Sequence, residues 1–382
     1  MVTACLKELH DFPLKMLVKY SDLSPSPLKM GIPRFSTILE ICSLLLAGGI
    51  GGYLAHQINL PMPYLVGSLV TTAVYAVTIT HNQNRKIPFS KNARWGFMAV
   101  IGVMIGASFD QTLFGLLPQL WLSILGVLVY VPLIQFVGFQ FFSRIGGYDL
   151  PTATFAAMPG GLIESVEMGV QAGGDVRILS VQHFSRIIMV VLIVQFAFFI
   201  WSGESVGSAA GQKMSELAWD QEDVVLIIGL AVVGVFVGKF LRLPVYHIIG
   251  PLLLSSLMHA LGFIDISSPD WLLSVSQLVI GVGLGTAFSG INLKILAKTF
   301  GLGLIFVSFS LVIGLGFAWG LSNFLSLPTE DLFICFAIGG VTEMGLIALS
   351  LGINPVVVAV HHLFRISFTV LVGKQFFRRL SR

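Results

Sequence analysis

Two stretches of this 382-residue chain carry the same ionisable side chains in the same order. GGLIESVEMGVQAGGDVRILSVQHFSRI begins at Gly160, and GGVTEMGLIALSLGINPVVVAVHHLFRI begins at Gly339. Each puts a glutamate three residues after its second glycine: Glu164 follows Gly161, and Glu343 follows Gly340. Each then reaches a histidine and an arginine spaced i,i+3, His183 with Arg186 and His362 with Arg365, which share one helix face. Arginine holds carboxylate or phosphate, and glutamate and histidine can take up and release a proton. A helix starting after each Gly-Gly pair would add backbone N–H groups and a positive dipole end. Together these features suit a small anionic or carboxylate-bearing ligand, with Glu and His as carriers of a coupling proton.

The elements holding these groups lie in lipid. The chain is 55% hydrophobic and 11% charged, with a mean hydropathy of +0.89. A soluble domain carries about 25% charged residues. Runs such as Leu113–Phe142 and Ile187–Trp201 are almost free of charge. At about 20 residues per crossing, the length accommodates roughly ten helices. The apolar runs are too long and too weakly alternating for a β-barrel, so the class is an all-α polytopic membrane protein. A charge at the bilayer centre costs about 2.5–3.5 kcal/mol on insertion scales. Six such groups in matched positions therefore need a polar cavity or mutual pairing, and Glu–Arg pairing is the expected compensation. A purely structural role, with Glu164 stapled to Arg186 or Arg365 and the histidines as packed hydrogen-bonders, is the plain alternative.

The duplication extends beyond these stretches. The offset of 179 residues that joins Gly160 to Gly339 also pairs Gly102 with Gly281, Gly106 with Gly285 and Phe109 with Phe288. Upstream, LPMPYLVGSL (Leu60–Leu69) matches LPVYHIIGPL (Leu243–Leu252). The basic residues, however, alternate between the copies. Arg85, Lys86, Lys91 and Arg94 crowd one loop of the first copy, while its counterpart around Phe263–Asp270 has none. Lys239, Arg242, Lys294 and Lys298 sit where the first copy is bare. Positive loops stay cytoplasmic. An inverted pair then places all 22 Lys and Arg inside except Arg177, Arg186, Arg365 and Lys213. Both termini lie inside, and each copy crosses an odd number of times, most simply five. The expected organisation is a cytosolic segment at 1–36, membrane repeats at 37–201 and 224–382, and an acidic linker at 202–223. Since each copy offers six apolar segments, one is re-entrant or broken. The expected one surrounds each Gly-Gly pair, at Pro151–Ala172 and Glu330–Leu351. Such interruptions are tolerated only against protein or a wet cavity, and paired interrupted helices mark transporter sites.

Other signals have simpler explanations. The runs GGIGG (Gly48–Gly52), GVMIG (Gly102–Gly106), GVFVG (Gly234–Gly238) and GVGLG (Gly281–Gly285) sit inside apolar segments without a strand–turn–helix frame, so close helix packing explains them. The LP motifs read as helix starts, and Asp110 as a solvated loop residue. Cys5, Cys42 and Cys335 are far apart and form no ligand set. His361 and His362 splay by about 100° on a helix, and His10, His56, His81, His247 and His259 are scattered. No cofactor, metal or catalytic residue is expected, and the protein is expected not to be an enzyme. The first 35 residues lack the compact apolar core of a signal peptide.

The duplicated GG…E…H…R pattern, preceded by LPxP…G, resembles the AbrB family of bacterial inner-membrane proteins over about residues 40–375. MPGGLIES (Met158–Ser165) fits the family's PGG-type motif, whereas AIGGVTEMG (Ala337–Gly345) has Ile338 in place of proline. The resemblance implies a duplicated membrane module with a regulatory label, tied to expression of the alkylation-response gene aidB. Family members have also been labelled ammonia monooxygenases, a label that no histidine–carboxylate cluster here supports. The layout is similar to that of carriers with inverted five-helix repeats and crossed broken helices, a fold-level analogy. Carriers of this layout are often homodimers. Residues 1–36 are too short and proline-broken for a helix-turn-helix, so no direct nucleic-acid contact is expected. The leading expectation is a secondary carrier of a small anionic or amphipathic metabolite with proton coupling as an option; the alternative is a membrane sensor or regulator of gene expression.

Overall fold

The computed structural model describes residues 35–58, 60, 62–80, 87, 89–108, 113–202, 219–243 and 245–380. The segment before residue 35, residues 81–86 of the basic loop, Asp110 and positions 203–218 of the acidic linker lie outside the described residues, as do Pro61 and Pro244 of the LP motifs. Ile41–Arg382 forms one compact unit; of the other, Met1–Glu40, the description covers only the start of the first helix.

Among the described residues every regular element is helical. The order is α1 (Phe35–Gln57), α2 (Pro63–Thr80), α3 (Lys91–Ala107), α4 (Leu113–Arg144), two short helices α5 (Leu150–Ala156) and α6 (Leu162–Gln171), and α7 (Val176–Ser202). The same succession then recurs: α8 (Gln221–Phe240), α9 (Tyr246–Ala260), α10 (Asp270–Gly285), α11 (Leu293–Ser322), two short helices α12 (Thr329–Phe336) and α13 (Val341–Leu351), and α14 (Pro355–Leu380). Eight of these are long and apolar enough to cross a membrane, namely α1, α2, α4, α7, α8, α10, α11 and α14. They fit a multi-pass membrane protein. Phe236 and Phe240 of α8 and Trp319 of α11 are 68%, 85% and 67% exposed. Such an apolar exterior is the face of a protein solvated by acyl chains.

The glycine runs do pack helices closely. Gly102 and Gly106 of α3 lie against α9, and an added Cβ would stand 2.5 Å from the carbonyl oxygens of Ile248 and Leu252. Gly281 and Gly285 of α10 lie against α2, where the same atom would meet the carbonyls of Leu65 and Leu69 at 2.5 and 2.8 Å. These are matching positions of the duplicated sequence, so the third helix of each copy packs on the second helix of the other. Small residues let backbones approach this way where dispersion drives association. Gly281→Ala is therefore expected to cost about 1–3 kcal/mol by overpacking. At Gly229, where nothing lies within 4 Å, the same change should gain up to about 1 kcal/mol of helix propensity. Thermal unfolding in detergent micelles checks both, and equal effects at the two sites would contradict the packing.

Near the middle of α4, Tyr130 is fully buried and donates to the Ser310 carbonyl of α11 at 3.1 Å. Its ring meets Phe336 and Phe317 edge-on, with centroids 5.5 and 5.6 Å away. This contact joins the long fourth helices of both copies beside the end of α12.

Candidate functional site

The site is built where α5 and α12 stop. Asp149 caps α5 by accepting from the Thr152 N–H at 3.4 Å, and Pro151 sits in the first turn. After Ala156 the backbone leaves the helix, crosses Met158-Pro159-Gly160-Gly161 and enters α6. Gly161 holds φ +65°, a left-handed conformation that glycine adopts without steric cost. The chain then folds back along itself. Thr152 Oγ1 accepts from the Asp175 N–H at 2.9 Å, and a Cβ at Gly169 would stand 3.0 Å from Phe155 Cβ. In the second copy, α12 ends at Phe336 and α13 starts after Gly340, whose backbone is extended instead (φ −81°, ψ 158°). The interruption thus survives Ile338 standing in the proline position.

Side chains from the following long helix hold each interruption open. His183 of α7 pairs through Nε2 with the Phe155 carbonyl at 3.0 Å, and Arg186 donates to the Met158 carbonyl. In α14, His362 pairs through Nε2 with the Ile334 carbonyl at 2.9 Å, while Arg365 donates to the carbonyls of Ala337 and, at 2.5 Å, Gly339. The carbonyls are equivalent in the two copies. They belong to the last turn of a helix and the residues just beyond, where acceptors lack intrahelical partners and the dipole end is negative. Arginine and histidine supply the missing donors, and arginine the compensating charge. Arg365 also donates to His362 Nδ1 at 3.2 Å. That ring must then carry its proton on Nε2, the atom facing Ile334, and is neutral. His361 points elsewhere, to Ser123 Oγ at 2.7 Å and the Val357 carbonyl at 2.8 Å.

The expected Glu–Arg pairs do not form: neither Glu164 nor Glu343 is hydrogen-bonded to Arg186 or Arg365. The physical reason is competition, because the carbonyls at the interruption lie closer to the guanidinium groups than the carboxylates do. Arg186 and Arg365 are 4% and 0% exposed and close enough to repel each other, with the Tyr130 hydroxyl beside both. Nε of each arginine and Nδ1 of His183 have no hydrogen-bond partner.

Each glutamate lies in the first turn of its second short helix and folds back over the glycine before it. A Cβ on Gly161 would stand 3.2 Å from Glu164 Oε2, and one on Gly340 would collide with Glu343 Oε2. Glu343 accepts from its own N–H. The helix N-termini expected to face a ligand are thus occupied by the motif's own carboxylates, as acidic residues favour. Glu343 is buried and Glu164 half-buried. The cation that Glu343 attracts is Arg94, one turn into α3, without a hydrogen bond between them. Arg94 is not legible in the sequence as a site residue, since it stands among four basic residues of one loop. Tyr130 gives no sequence signal either. Beside Arg94 a cavity of about 770 Å³ opens at the start of α3, α7 and α11. No cluster of three His, Cys, Asp or Glu side chains that could hold a metal ion occurs among the described residues.

Residues 73–381 match a protein-family model described as transition state regulatory protein AbrB. Over 347 residues the chain is 24% identical to a protein of Escherichia coli (strain K12) that carries the name of a regulator, AbrB, covering 90% of this chain and 96% of the relative. YhjN of Bacillus subtilis (strain 168) is 23% identical over 356 residues, or 86% of this chain and 90% of the relative. With the matched interval taking in both interruptions and all six of their Glu, His and Arg side chains, the chain belongs to the AbrB family.

Proposed function

We propose that the protein is a secondary carrier of a small anionic or amphipathic metabolite, with no catalytic step. In this reading it consists of two inverted repeats of five crossing helices in a bacterial inner membrane, each with a re-entrant Gly-Gly hairpin. Both termini are cytoplasmic. The observation that carries it is the paired interruption: in matching positions of the two copies a half-helix ends on the carbonyls held by a buried arginine, Arg186 in one and Arg365 in the other. Interrupted helices in matching positions of two halves are how carriers build a site at mid-membrane depth.

Two contacts support the inverted arrangement. The Thr152–Asp175 bond ties the start of α5 to the start of α7, which in this reading returns the chain to the side it entered and leaves five crossings in the first copy. The starts of α3, α7 and α11 share one cavity, whereas six crossings per copy would put α7 on the opposite side from α3. Arg177, at the start of α7, then joins the other basic residues on the cytoplasmic face. Because His362 is neutral and turned to a carbonyl, Glu343 is the group of the second copy's motif left to exchange a coupling proton.

Counterflow of labelled acetate, succinate and citrate in proteoliposomes tests the proposal. Wild type is expected to exchange at least one of them, and Glu343→Gln to do so at least about tenfold more slowly, a loss of roughly 1.4 kcal/mol. Absence of exchange by folded protein, or wild-type rates in the variant, would overturn it. A second reading, a membrane regulator of gene expression, is favoured by the name of the Escherichia coli relative. It predicts no exchange and a cytosolic partner captured through residues 1–36.

A further inference from the structure

The cavity beside Arg94 carries one sign of side-chain charge among its described lining. Three basic side chains line it, Lys91, Arg94 and Arg177, and no acidic one does among its described lining. Lys91 and Arg94 share the first turn of α3, and the fold brings Arg177 of α7 to them, so like charges from two distant elements line one wall. Lys91 and Arg177 reach solvent, and Arg94 is half-buried. Nε of Arg94 is buried without a hydrogen-bond partner.

Three helices also begin here. Ser90 caps α3 by accepting from the Ala93 N–H at 3.3 Å, and Asn292 caps α11 by accepting from the Lys294 N–H at 2.8 Å. Asp175 caps the start of α7 by accepting from the Arg177 N–H at 2.7 Å, and its carboxylate is not part of the cavity lining. The positive dipole ends of all three helices therefore converge on the same volume as the three side-chain cations. The last turn of α10 also reaches the wall, at Gly283 and Thr286, and its negative end offsets part of that field. Ser180 adds a hydroxyl that can donate, while the Thr286 hydroxyl already donates to the Gly283 carbonyl at 2.9 Å, and Phe89 and Phe184 give an apolar flank.

We propose that this cavity is an anion-binding vestibule that captures a compact oxyanion with two or more negative charges, a di- or tricarboxylate or a phosphate, and delivers it to Arg94. There the anion competes with Glu343 for the guanidinium group, so its arrival frees the carboxylate at the start of α13. As the entry point of the carried molecule the vestibule rests on the carrier reading. As an anion site it rests on the cavity alone, and binding measured without transport separates the two.

The experiment is titration calorimetry on the full chain in phosphatidylcholine nanodiscs at constant ionic strength. Citrate, inorganic phosphate, acetate and, as a cation control, putrescine serve as probes. Citrate or phosphate is expected to bind more tightly than acetate, and putrescine not at all. Lys91→Gln combined with Arg177→Gln should weaken the tighter anion at least about tenfold, as loss of charged hydrogen-bonding partners does. Both residues lie at the mouth, outside the hydrogen-bond networks of the interruptions, and the thermal unfolding midpoint confirms that the variant is folded. Repeating the titration with phosphatidylglycerol in the disc distinguishes the sources. Loss of citrate or phosphate binding there assigns the vestibule to an anionic lipid headgroup and overturns the capture of a soluble anion. Charge-independent binding, no anion binding, or equal affinity in the double variant also overturns it. Charge-ranked binding without counterflow keeps the anion site and removes the carrier reading. Counterflow with binding that ignores Lys91 and Arg177 does the reverse.

Discussion

Arg365→Ala is expected to be among the most destabilising single changes in the protein, lowering unfolding stability by about 2–5 kcal/mol. This one buried side chain donates three hydrogen bonds, to the carbonyls of Ala337 and Gly339 and to His362 Nδ1. Inside a membrane protein a side-chain hydrogen bond averages about 0.6 kcal/mol, which sets the lower end. The upper end comes from what is left behind: two carbonyls at a helix terminus with neither donor nor water, each costing about 1–3 kcal/mol. The negative end of α12 also loses its countercharge. Arg186→Ala should cost about half as much, because Arg186 holds only the Met158 carbonyl. Arg365→Lys should recover part of the loss, since an ammonium keeps the charge but cannot span two carbonyls as the planar guanidinium fork does. Thermal unfolding in detergent, followed by near-ultraviolet circular dichroism, gives the order Ala below Lys below wild type. An Arg365→Ala midpoint equal to wild type would mean that the interruption holds itself open without the arginine.

How much of this was legible in the sequence follows from what each residue interacts with. The duplication was visible because glycine packing and interrupted helices demand the same residues at the same spacing in both copies. Gly102 and Gly281 meet equivalent carbonyls for that reason. The His and Arg positions were equally visible, since charge inside an apolar run stands out. Their partners were not. Backbone carbonyls occur at every residue, so no side-chain pattern shows that Arg365 turns to Ala337 and Gly339 and not to Glu164 or Glu343. Arg94 was hidden for the opposite reason. It lies in a cluster of like charges that the loop explains, and only the packing of α13 on α3, with Gly345 against Ile105, shows which of the four turns inward. The vestibule was likewise out of reach, because Lys91, Arg177 and Asn292 become neighbours only once the crossing pattern has been folded.

The link between Arg94 and Glu343 should appear as non-additivity in transport. Each charge lies in or beside a packed interior and attracts the other across the two copies without a direct hydrogen bond. Removing one leaves the other without its countercharge. Arg94→Ala and Glu343→Gln are therefore each expected to reduce succinate or citrate counterflow at least about tenfold, or roughly 1.4 kcal/mol in the barrier. If the residues act independently, the double variant multiplies the two losses. If they act as a pair, it is no slower than the worse single variant, with a coupling energy of about 1–3 kcal/mol. Exchanging the charges, Arg94→Glu with Glu343→Arg, tests direction as well as coupling. It restores the attraction but puts a cation at the positive start of α13 and an acid in the basic cavity. Stability should therefore recover only in part, since the helix end favours the native order, and transport should not recover, since the vestibule does too. Recovery of transport in the exchanged variant would show that attraction alone matters, whereas a purely multiplicative double variant would show that Arg94 and Glu343 serve separate steps.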